Sequence, residues 1–181
     1  MTFQKYVLGP LRSLQTRYGG HPFRLFIAVG KTCALAHVFT EFGYIINPAS
    51  GASMLPTFEV LGDHLLISKL HRKGRGVEIG DIVSFDSVAE PGERVIKRVL
   101  GLPGDYVLKD TPGSGSSEMI QVPAGHCWVI GDNLPYSRDS RMFGPIPLAL
   151  IKGKVIAKVL PWDERRWIEN DLKPVNVSPS T

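Results

Sequence analysis

Three short segments of the sequence carry side chains whose types and spacing could do chemistry. The first sets Ser53 among small residues with Pro56 three positions later, which leaves a small hydroxyl on an exposed, stiffened loop. The second sets Lys97 in an apolar strand pattern, where alternation directs Lys97 and Arg98 to opposite faces, so that one cation faces the core or a cleft. The third is the polar loop 131–141, which follows an apolar run. Hydroxyl and amine groups serve in nucleophilic and acid–base catalysis.

Each of these segments also has an ordinary structural explanation when it is taken alone. Ser53 could cap a helix, and Lys97 could extend its amine to an edge of the sheet. Asp139 and Arg141 could simply hold a loop together as an ion pair. The sequence contains no Gly-x-Ser-x-Gly, His-Glu-x-x-His, P-loop or dinucleotide motif. Its five histidines lack ligand spacing, and its two cysteines are predicted to be packing residues, so no metal and no cofactor is predicted.

The composition limits the classes of protein that the sequence can encode. With 181 residues, of which 43% are hydrophobic and 21% charged, the chain can fill one core and carry an appended segment, which excludes global disorder. Its 19 glycines and 14 prolines favour a turn-rich β architecture over a helical bundle. A net charge of +4 is too small to indicate a nucleic-acid partner, and the basic cluster 72–75 is interpreted as a solvated loop.

The first part of the chain, residues 1–46, differs from the rest. Segment 1–24 is basic, and no acidic residue precedes Glu41. Segment 25–46 is largely apolar and is close to the roughly 20 residues that cross a bilayer, so it is predicted to be a helical membrane anchor with the basic N-terminus on the matrix or cytoplasmic side. Lys31 opposes this prediction, because a central lysine costs about 2.5–3.5 kcal/mol on insertion. An interfacial helix, or an amphipathic helix of a soluble core, is the alternative.

From residue 47 onward, short β-branched runs alternate with glycine, proline and aspartate. These runs predict a mainly β fold, with an antiparallel β domain over 47–161 that follows the N-terminal helical segment. The tail 162–181 mixes charges and ends in Pro, Ser and Thr, so its last residues are predicted to be mobile. The predicted strands are 65–70, 82–88, 94–100, 106–109, 119–122, 127–130 and 155–160.

Four short motifs over residues 47–160 resemble the boxes of the signal peptidase I family. Any one match could arise by chance, whereas four in the same order point to one family. The resemblance implies a signal-peptidase-like antiparallel β domain. The motifs are Ser53-Met54-x-Pro56-Thr57, Gly80-Asp81, Lys97-Arg98-Val99-x-Gly101-x-Pro103-Gly104-Asp105, and Gly131-Asp132-Asn133 continuing to Ser137-x-Asp139-Ser140-Arg141.

The resemblance implies a peptidase with a Ser/Lys dyad, in which Ser53 is the nucleophile and Lys97 the general base. A free lysine is almost entirely charged near neutral pH, so Lys97 must be buried against apolar side chains to act as a base. By the same resemblance, Ser137 orients Lys97. Asp139 and Arg141 match a supporting ion pair.

The resemblance also places an oxyanion hole at the first motif, with the backbone N–H of Ser53 as one donor. Many bacterial members carry a serine two positions before the nucleophile, where this sequence has Gly51, so that side-chain donor is absent. The loss of one such donor can cost about 10²–10³ in rate. Met54 and Pro56 are the other supporting residues of this motif.

Within the family, the chain resembles the mitochondrial inner membrane branch, because it is small, has a short connection between the last two motifs and carries lysine at the base position. This implies a membrane-bound serine endopeptidase of the mitochondrial inner membrane. Its catalytic domain would face the intermembrane space and remove targeting presequences from precursor proteins, and a second, related subunit is the implied partner. Two alternatives stay open: a soluble, self-cleaving repressor-type Ser/Lys peptidase, and a non-catalytic scaffold subunit.

Overall fold

The computed structural model describes residues 22–111, 113, 115 and 118–170. The chain divides into two compact units, the first ending at Glu41 and the second beginning at Phe42. In the first unit, helix α1 (Pro22–Val38) begins with a proline, whose fixed φ suits the first helical turn. None of the α1 side chains is buried. The helical path continues as a π-helical turn, Phe39–Gly43.

The stretch Pro22–Gly43 is, among the described residues, the one helix long and apolar enough to cross a membrane. The bounds differ from those of the predicted anchor, 25–46, because residues 44–46 form a β-strand. An apolar run has no periodicity that separates a helix from a strand, so the sequence alone extends the helix too far. Most of the predicted basic segment, residues 1–21, lies outside the described residues.

Ten short strands, paired antiparallel, form the described part of the second unit. They are β1 (Tyr44–Pro48), β2 (His64–Ser68), β3 (Ile82–Asp86), β4 (Arg94–Gly101), β5 (Tyr106–Leu108), β6 (Met119–Gln121), β7 (His126–Ile130), β8 (Ile146–Pro147), β9 (Ile151–Leu160) and β10 (Arg166–Trp167). Eight strands form one sheet in the order β1-β2-β9-β3-β4-β7-β8, with β10 beside β9, while β5 and β6 form a separate hairpin. The predicted mainly β, antiparallel fold class with an N-terminal helix is confirmed.

Apolar side chains of the described residues form three clusters, two of which share strand β3 of the main sheet. In β3, Val83 and Phe85 belong to one cluster, and Ile82 belongs to the other, as strand alternation requires. The second cluster also contains Met54, which is 4% exposed. Because burial of this side chain is favourable, it fixes the loop that carries Ser53 against the sheet.

Strand β4 has one edge that is only partly paired. Its residues Arg94 to Arg98 pair with β3, whereas pairing of the other edge with β7 begins only at Arg98. The strands of the described chain therefore leave the 94–97 part of this second edge without a partner. Such an edge carries backbone groups that can accept another extended chain.

The described beginning of the predicted C-terminal tail, residues 162–170, folds back onto the sheet. A 3₁₀ turn (Trp162–Glu164) leads into β10, where Arg166 pairs with Lys158 of β9. A strand of two residues is too short to show alternation in the sequence, so only its contact with β9 defines it. The end of the tail, 171–181, for which mobility is predicted, lies outside the described residues.

Candidate active site

Ser53 lies in the middle of a 3₁₀ turn, Ala52–Met54, at the start of the loop that leads to β2. Gly51 precedes this turn with φ 101°, a left-handed conformation that favours glycine. On the other side of Ser53, the buried Met54 side chain anchors the turn in the core, and the bond before Pro56 is cis. The turn therefore holds the serine between a permissive glycine and an apolar anchor.

Lys97 reaches this turn from β4. Its Nζ donates a hydrogen bond to Ser53 Oγ over 2.6 Å, although the two residues are 44 positions apart. The lysine side chain is 4% exposed, and its neighbours on the same face of the strand are Val95 and Val99. Arg98 lies on the opposite face, as alternation predicts. The structure thus brings together the two side chains predicted to form the dyad.

The surroundings of Lys97 favour its neutral form. Burial lowers the pKa of the ammonium below its ordinary value, because removal from water disfavours the charged state. The negative charges of Asp139 and Asp132 act in the opposite direction without reversing this shift. Since only a neutral amine can accept the proton of Ser53, the lowered pKa raises the fraction of molecules that can react near neutral pH.

Asp139 and Arg141 form the ion pair that the sequence predicts. The Asp139 carboxylate is fully buried, accepts hydrogen bonds from Arg141 Nε at 2.8 Å and from the Gly131 backbone N–H at 3.0 Å, and caps the short helix α2 (Ser140–Phe143). Burial alone would raise the pKa of Asp139, but these hydrogen bonds outweigh it and hold the pKa below its ordinary value. The pair therefore stays ionised and ties the end of β7 to the polar loop.

Ser137 is buried beside the dyad but does not touch Lys97 through a hydrogen bond. Among the described residues its Oγ makes no hydrogen bond of good geometry, although it lies close enough to the Asp139 carboxylate to help lower the pKa of that group. It lies against Gly131, where an added Cβ would be 2.3 Å from Ser137 Oγ and 2.4 Å from the Ser53 carbonyl oxygen. Ser137 and the nucleophile turn therefore approach the same glycine from different directions. The role of Ser137 in orienting Lys97 stays a prediction.

Two cavities reach Ser53 and Lys97. One, of about 160 Å³, lies between residues 48–51, which precede the nucleophile, and the open edge of β4 at residues 93–97. The other, of about 320 Å³, is lined by Tyr136, Arg138 and Phe143. Because both cavities include the dyad, a chain entering from solvent has access to the reactive groups. Among the described residues, no cluster of three His, Cys, Asp or Glu side chains is placed to hold a metal ion.

Comparison with known proteins assigns the chain to a family. The family described as signal peptidase, peptidase S26, matches residues 23–112 and 108–162. The chain belongs to this family. It is therefore a protease of the signal peptidase type, and the family predicted from the four motifs is confirmed.

The similar proteins of this signal peptidase family include mitochondrial members. The mitochondrial inner membrane protease subunit 1 of Schizosaccharomyces pombe is 39% identical over 86% of this chain and 97% of its own length. Subunit 1 of Homo sapiens is 39% identical over 78% of this chain and 85% of its own, and subunit 2 of Danio rerio is 34% identical over 88% of each. The predicted resemblance to the mitochondrial branch is thus confirmed. A crystal structure of signal peptidase I from Enterococcus faecalis V583 aligns with a TM-score of 0.36 and 26% identity, over 43% of this chain and 95% of that one.

In this signal peptidase family member, further polar residues hold the nucleophile turn from behind. Asn133 donates through Nδ2 to the Ala52 carbonyl at 2.9 Å and through its backbone N–H to the Ser53 carbonyl at 3.1 Å. Asp132 accepts two hydrogen bonds from the Arg98 guanidinium, at 2.8 and 2.7 Å. These three residues stand in the quoted motifs, but sequence reasoning assigned no role to them, because their partners are distant along the chain.

The oxyanion region of this signal peptidase is open at Gly51. The Gly51 backbone N–H donates to the Val60 carbonyl at 2.9 Å, so it is engaged inside the loop. A Cβ built on Gly51 would meet nothing within 4 Å, so the space beside this residue is open. With no hydroxyl at residue 51, the backbone N–H of Ser53 stays the predicted oxyanion donor.

Proposed function

We propose that this chain is a catalytic, membrane-bound Ser/Lys endopeptidase that removes targeting presequences from precursor proteins at the mitochondrial inner membrane. One observation carries the proposal: Ser53 Oγ and the buried Lys97 Nζ lie 2.6 Å apart. A hydroxyl in contact with an amine whose pKa is lowered by burial is a nucleophile beside its base. The same contact argues against a non-catalytic scaffold, which would not need it.

The reaction follows from this contact. Neutral Lys97 takes the proton of Ser53 Oγ while the oxygen attacks the scissile carbonyl, forming a C–O bond and a tetrahedral oxyanion. The ammonium of Lys97 then returns that proton to the leaving amine as the C–N bond breaks, which leaves an acyl-enzyme. Water, deprotonated by the again neutral Lys97, attacks the ester, and Ser53 leaves with the proton. No cofactor enters these steps.

The substrate in this proposal is an extended peptide that adds to the open edge of β4. On that edge residues 94–97 pair with none of the described strands, and the 160 Å³ cavity beside them includes Ser53 and Lys97. Main-chain hydrogen bonds to the edge would hold the peptide, and the cavity would receive a side chain. Such binding places one peptide bond at the hydroxyl without requiring a folded substrate.

The proposed location rests on the N-terminal helix and on the similar proteins. The stretch Pro22–Gly43 could span the bilayer, and the positive residues before Glu41 favour a matrix-side N-terminus, which puts the β domain in the intermembrane space. The similar proteins are named as subunits 1 and 2 of a mitochondrial inner membrane protease. We therefore propose a second, related subunit as the partner, with precursor proteins as substrates.

The test is Ser53→Ala in the full-length protein in its membrane. We expect precursor cleavage to be lost while the thermal unfolding midpoint stays unchanged, because only a hydroxyl is removed from an already stable turn. Ser68→Ala, which removes a buried hydroxyl from β2, is the matched control and should cleave normally. Complete precursor cleavage by Ser53→Ala would end the dyad proposal.

A further inference from the structure

The nucleophile loop, residues 51–57, is in contact with the C-terminal segment, residues 162–170. The contact is a hydrogen bond of 2.7 Å from Arg166 NH2 to the backbone carbonyl of Thr57, across 109 positions of sequence. Arg166 follows the four motifs that resemble the family's boxes and lies outside the matched residues 108–162. The segment that the sequence describes as a tail therefore meets the loop that carries Ser53.

Thr57 continues this contact toward the back of the dyad. Its hydroxyl donates a hydrogen bond to Asp132, which also holds the Arg98 guanidinium. The next residue, Asn133, donates to the carbonyls of the nucleophile turn. Arg98 in turn adjoins Lys97 in β4. Arg166 thus stands at the outer end of a series of contacts, made of hydrogen bonds and of the peptide links Asp132–Asn133 and Lys97–Arg98, that leads to the Ser53 turn and to the strand carrying Lys97.

The C-terminal segment is itself held firmly enough to act as a support. In β10, Arg166 pairs with Lys158 of β9, and the Ile168 backbone N–H donates to the Ile156 carbonyl at 2.9 Å. Farther along, Asn170 Nδ2 donates to the Ile79 carbonyl at 2.6 Å. Bonds at Arg166 and at the residues that follow it hold this part of the backbone, so the Arg166 side chain can transmit that fixed position to Thr57.

Packing holds the nucleophile loop at the buried side chains of Met54 and Phe58 but leaves Pro56 and Thr57 beside open space. A cavity of about 390 Å³ lies behind Pro56 and Thr57 and is bounded by Arg98, Arg166 and Trp167. A loop beside an unfilled cavity lacks the close contacts that fix a packed side chain. The hydrogen bond from Arg166 crosses to the loop at this cavity and opposes its movement into the free space.

We propose that Arg166 is a positioning residue, which holds the Thr57 carbonyl and thereby keeps Ser53 Oγ within reach of Lys97 Nζ. The inference rests on the proposed peptidase function and adds the C-terminal segment to the groups that set the catalytic geometry. Without the guanidinium, the loop relaxes toward the cavity and the distance between Ser53 and Lys97 lengthens. Since a misplacement of about 1 Å can cost about 10²-fold in rate, a smaller relaxation costs about tenfold.

The experiment compares Arg166→Ala with Arg165→Ala in the full-length protein, using a fluorogenic presequence peptide. Arg165 is the matched control because it carries the same charge one position earlier, but its contacts among the described residues are local. Its Nε donates to the Trp162 carbonyl at 2.9 Å, and its guanidinium stacks 3.6 Å from the Trp162 ring. We expect Arg166→Ala to lower kcat about tenfold with KM changed less than twofold, and Arg165→Ala to match the unmodified protein. Arg166→Lys, which retains a donor and a charge, should recover part of kcat.

A double-mutant cycle separates positioning from a general loss of stability. If Arg166 acts through Thr57 and Asp132, then Arg166→Ala combined with Asp132→Asn lowers kcat by less than the product of the two single effects.

An unchanged kcat in Arg166→Ala, or a rise in KM alone, overturns the inference. If Arg166→Ala does not fold, Arg166→Met, which keeps an apolar stem but has no hydrogen-bond donor for the Thr57 carbonyl, is measured instead, and a kcat equal to that of the unmodified protein would also overturn the inference. If the unmodified protein does not cleave the peptide, the proposed peptidase function itself is rejected. A negative result for the Arg166 variants, with cleavage by the unmodified protein, rejects only the positioning role.

Discussion

Gly131 offers a sharp test of how the nucleophile turn is positioned, because the space for a side chain there is already occupied. Gly131 follows β7, and its backbone N–H donates to Asp139. A Cβ at this position would lie 2.4 Å from the Ser53 carbonyl oxygen and 2.3 Å from Ser137 Oγ. Gly131 is not among the glycines with positive φ, so Gly131→Ala introduces a steric overlap without demanding a forbidden backbone conformation.

The size of the effect follows from these distances. Ordinary contact of a Cβ with another heavy atom begins at 3.4 Å, so the Ser53 carbonyl must move by about 1 Å to accept the methyl group. The atom that must yield is backbone and cannot rotate away as the end of a side chain would. A displacement of about 1 Å in the nucleophile is expected to cost about 10²-fold in kcat, which corresponds to about 2.7 kcal/mol of activation free energy.

The assay measures kcat on a presequence peptide together with the thermal unfolding midpoint. Gly153→Ala is the matched control, since its Cβ would lie 2.5 Å from the Ser68 carbonyl oxygen, a backbone overlap in the main sheet at β2 and β9. Both variants should lose stability, but only Gly131→Ala should lose kcat when rates are normalised to folded protein. Equal values of kcat in the two variants would refute the claim that Gly131 sets the nucleophile position.

Two further predictions concern the charge on Lys97. Lys97→Arg should show no turnover near neutral pH while remaining folded, because a guanidinium stays protonated; measurable peptide cleavage would contradict a neutral-amine base. The second concerns the pH dependence of stability. Burial puts the pKa of Lys97 in the folded protein below its value of about 10.4 in the unfolded chain. At any pH between these two pKa values, the unfolded chain therefore binds more protons than the folded protein. The free energy of unfolding of the unmodified protein, relative to Lys97→Met, should therefore rise with pH across that window and be lowest below the folded-state pKa. Urea unfolding of both proteins at several pH values measures this difference in the free energy of unfolding. A difference that does not change with pH would contradict a lowered pKa of Lys97 in the folded protein.

Strand prediction succeeded where runs were long enough to show a pattern. All seven predicted runs overlap an observed strand, and β4 lies within one residue of its predicted bounds. The prediction missed three strands. In β1, an apolar stretch was assigned to the preceding helix, and β8 and β10 are only two residues long. Short strands and helix ends carry too few side chains for a period of 2 or 3.6 to be read, so neighbouring strands decide them.

The structure brings together the predicted site residues whose chemistry is visible in their type, and their catalytic roles stay predictions. Ser53, Lys97 and the Asp139–Arg141 pair are in the geometry that the motifs indicate. The predicted hydrogen bond from Ser137 to Lys97 is not formed among the described residues. The sequence does not indicate a role for Arg166, because an exposed arginine in a charged tail has no local feature that distinguishes it from its neighbour Arg165.

The amino-acid sequence by itself determined the reactive groups and the faces on which they lie. The order of the motifs identifies Ser53 and Lys97 as the reactive pair of one family, and strand alternation places Lys97 and Arg98 on opposite faces. Both features depend only on the order of residues along the chain. Tertiary structure alone decided that Ser53 Oγ and Lys97 Nζ lie 2.6 Å apart, that the Lys97 side chain is buried, and that Arg166 donates a hydrogen bond to the Thr57 carbonyl. Burial and contact between distant residues arise from the packing of the whole sheet, and no local pattern encodes them.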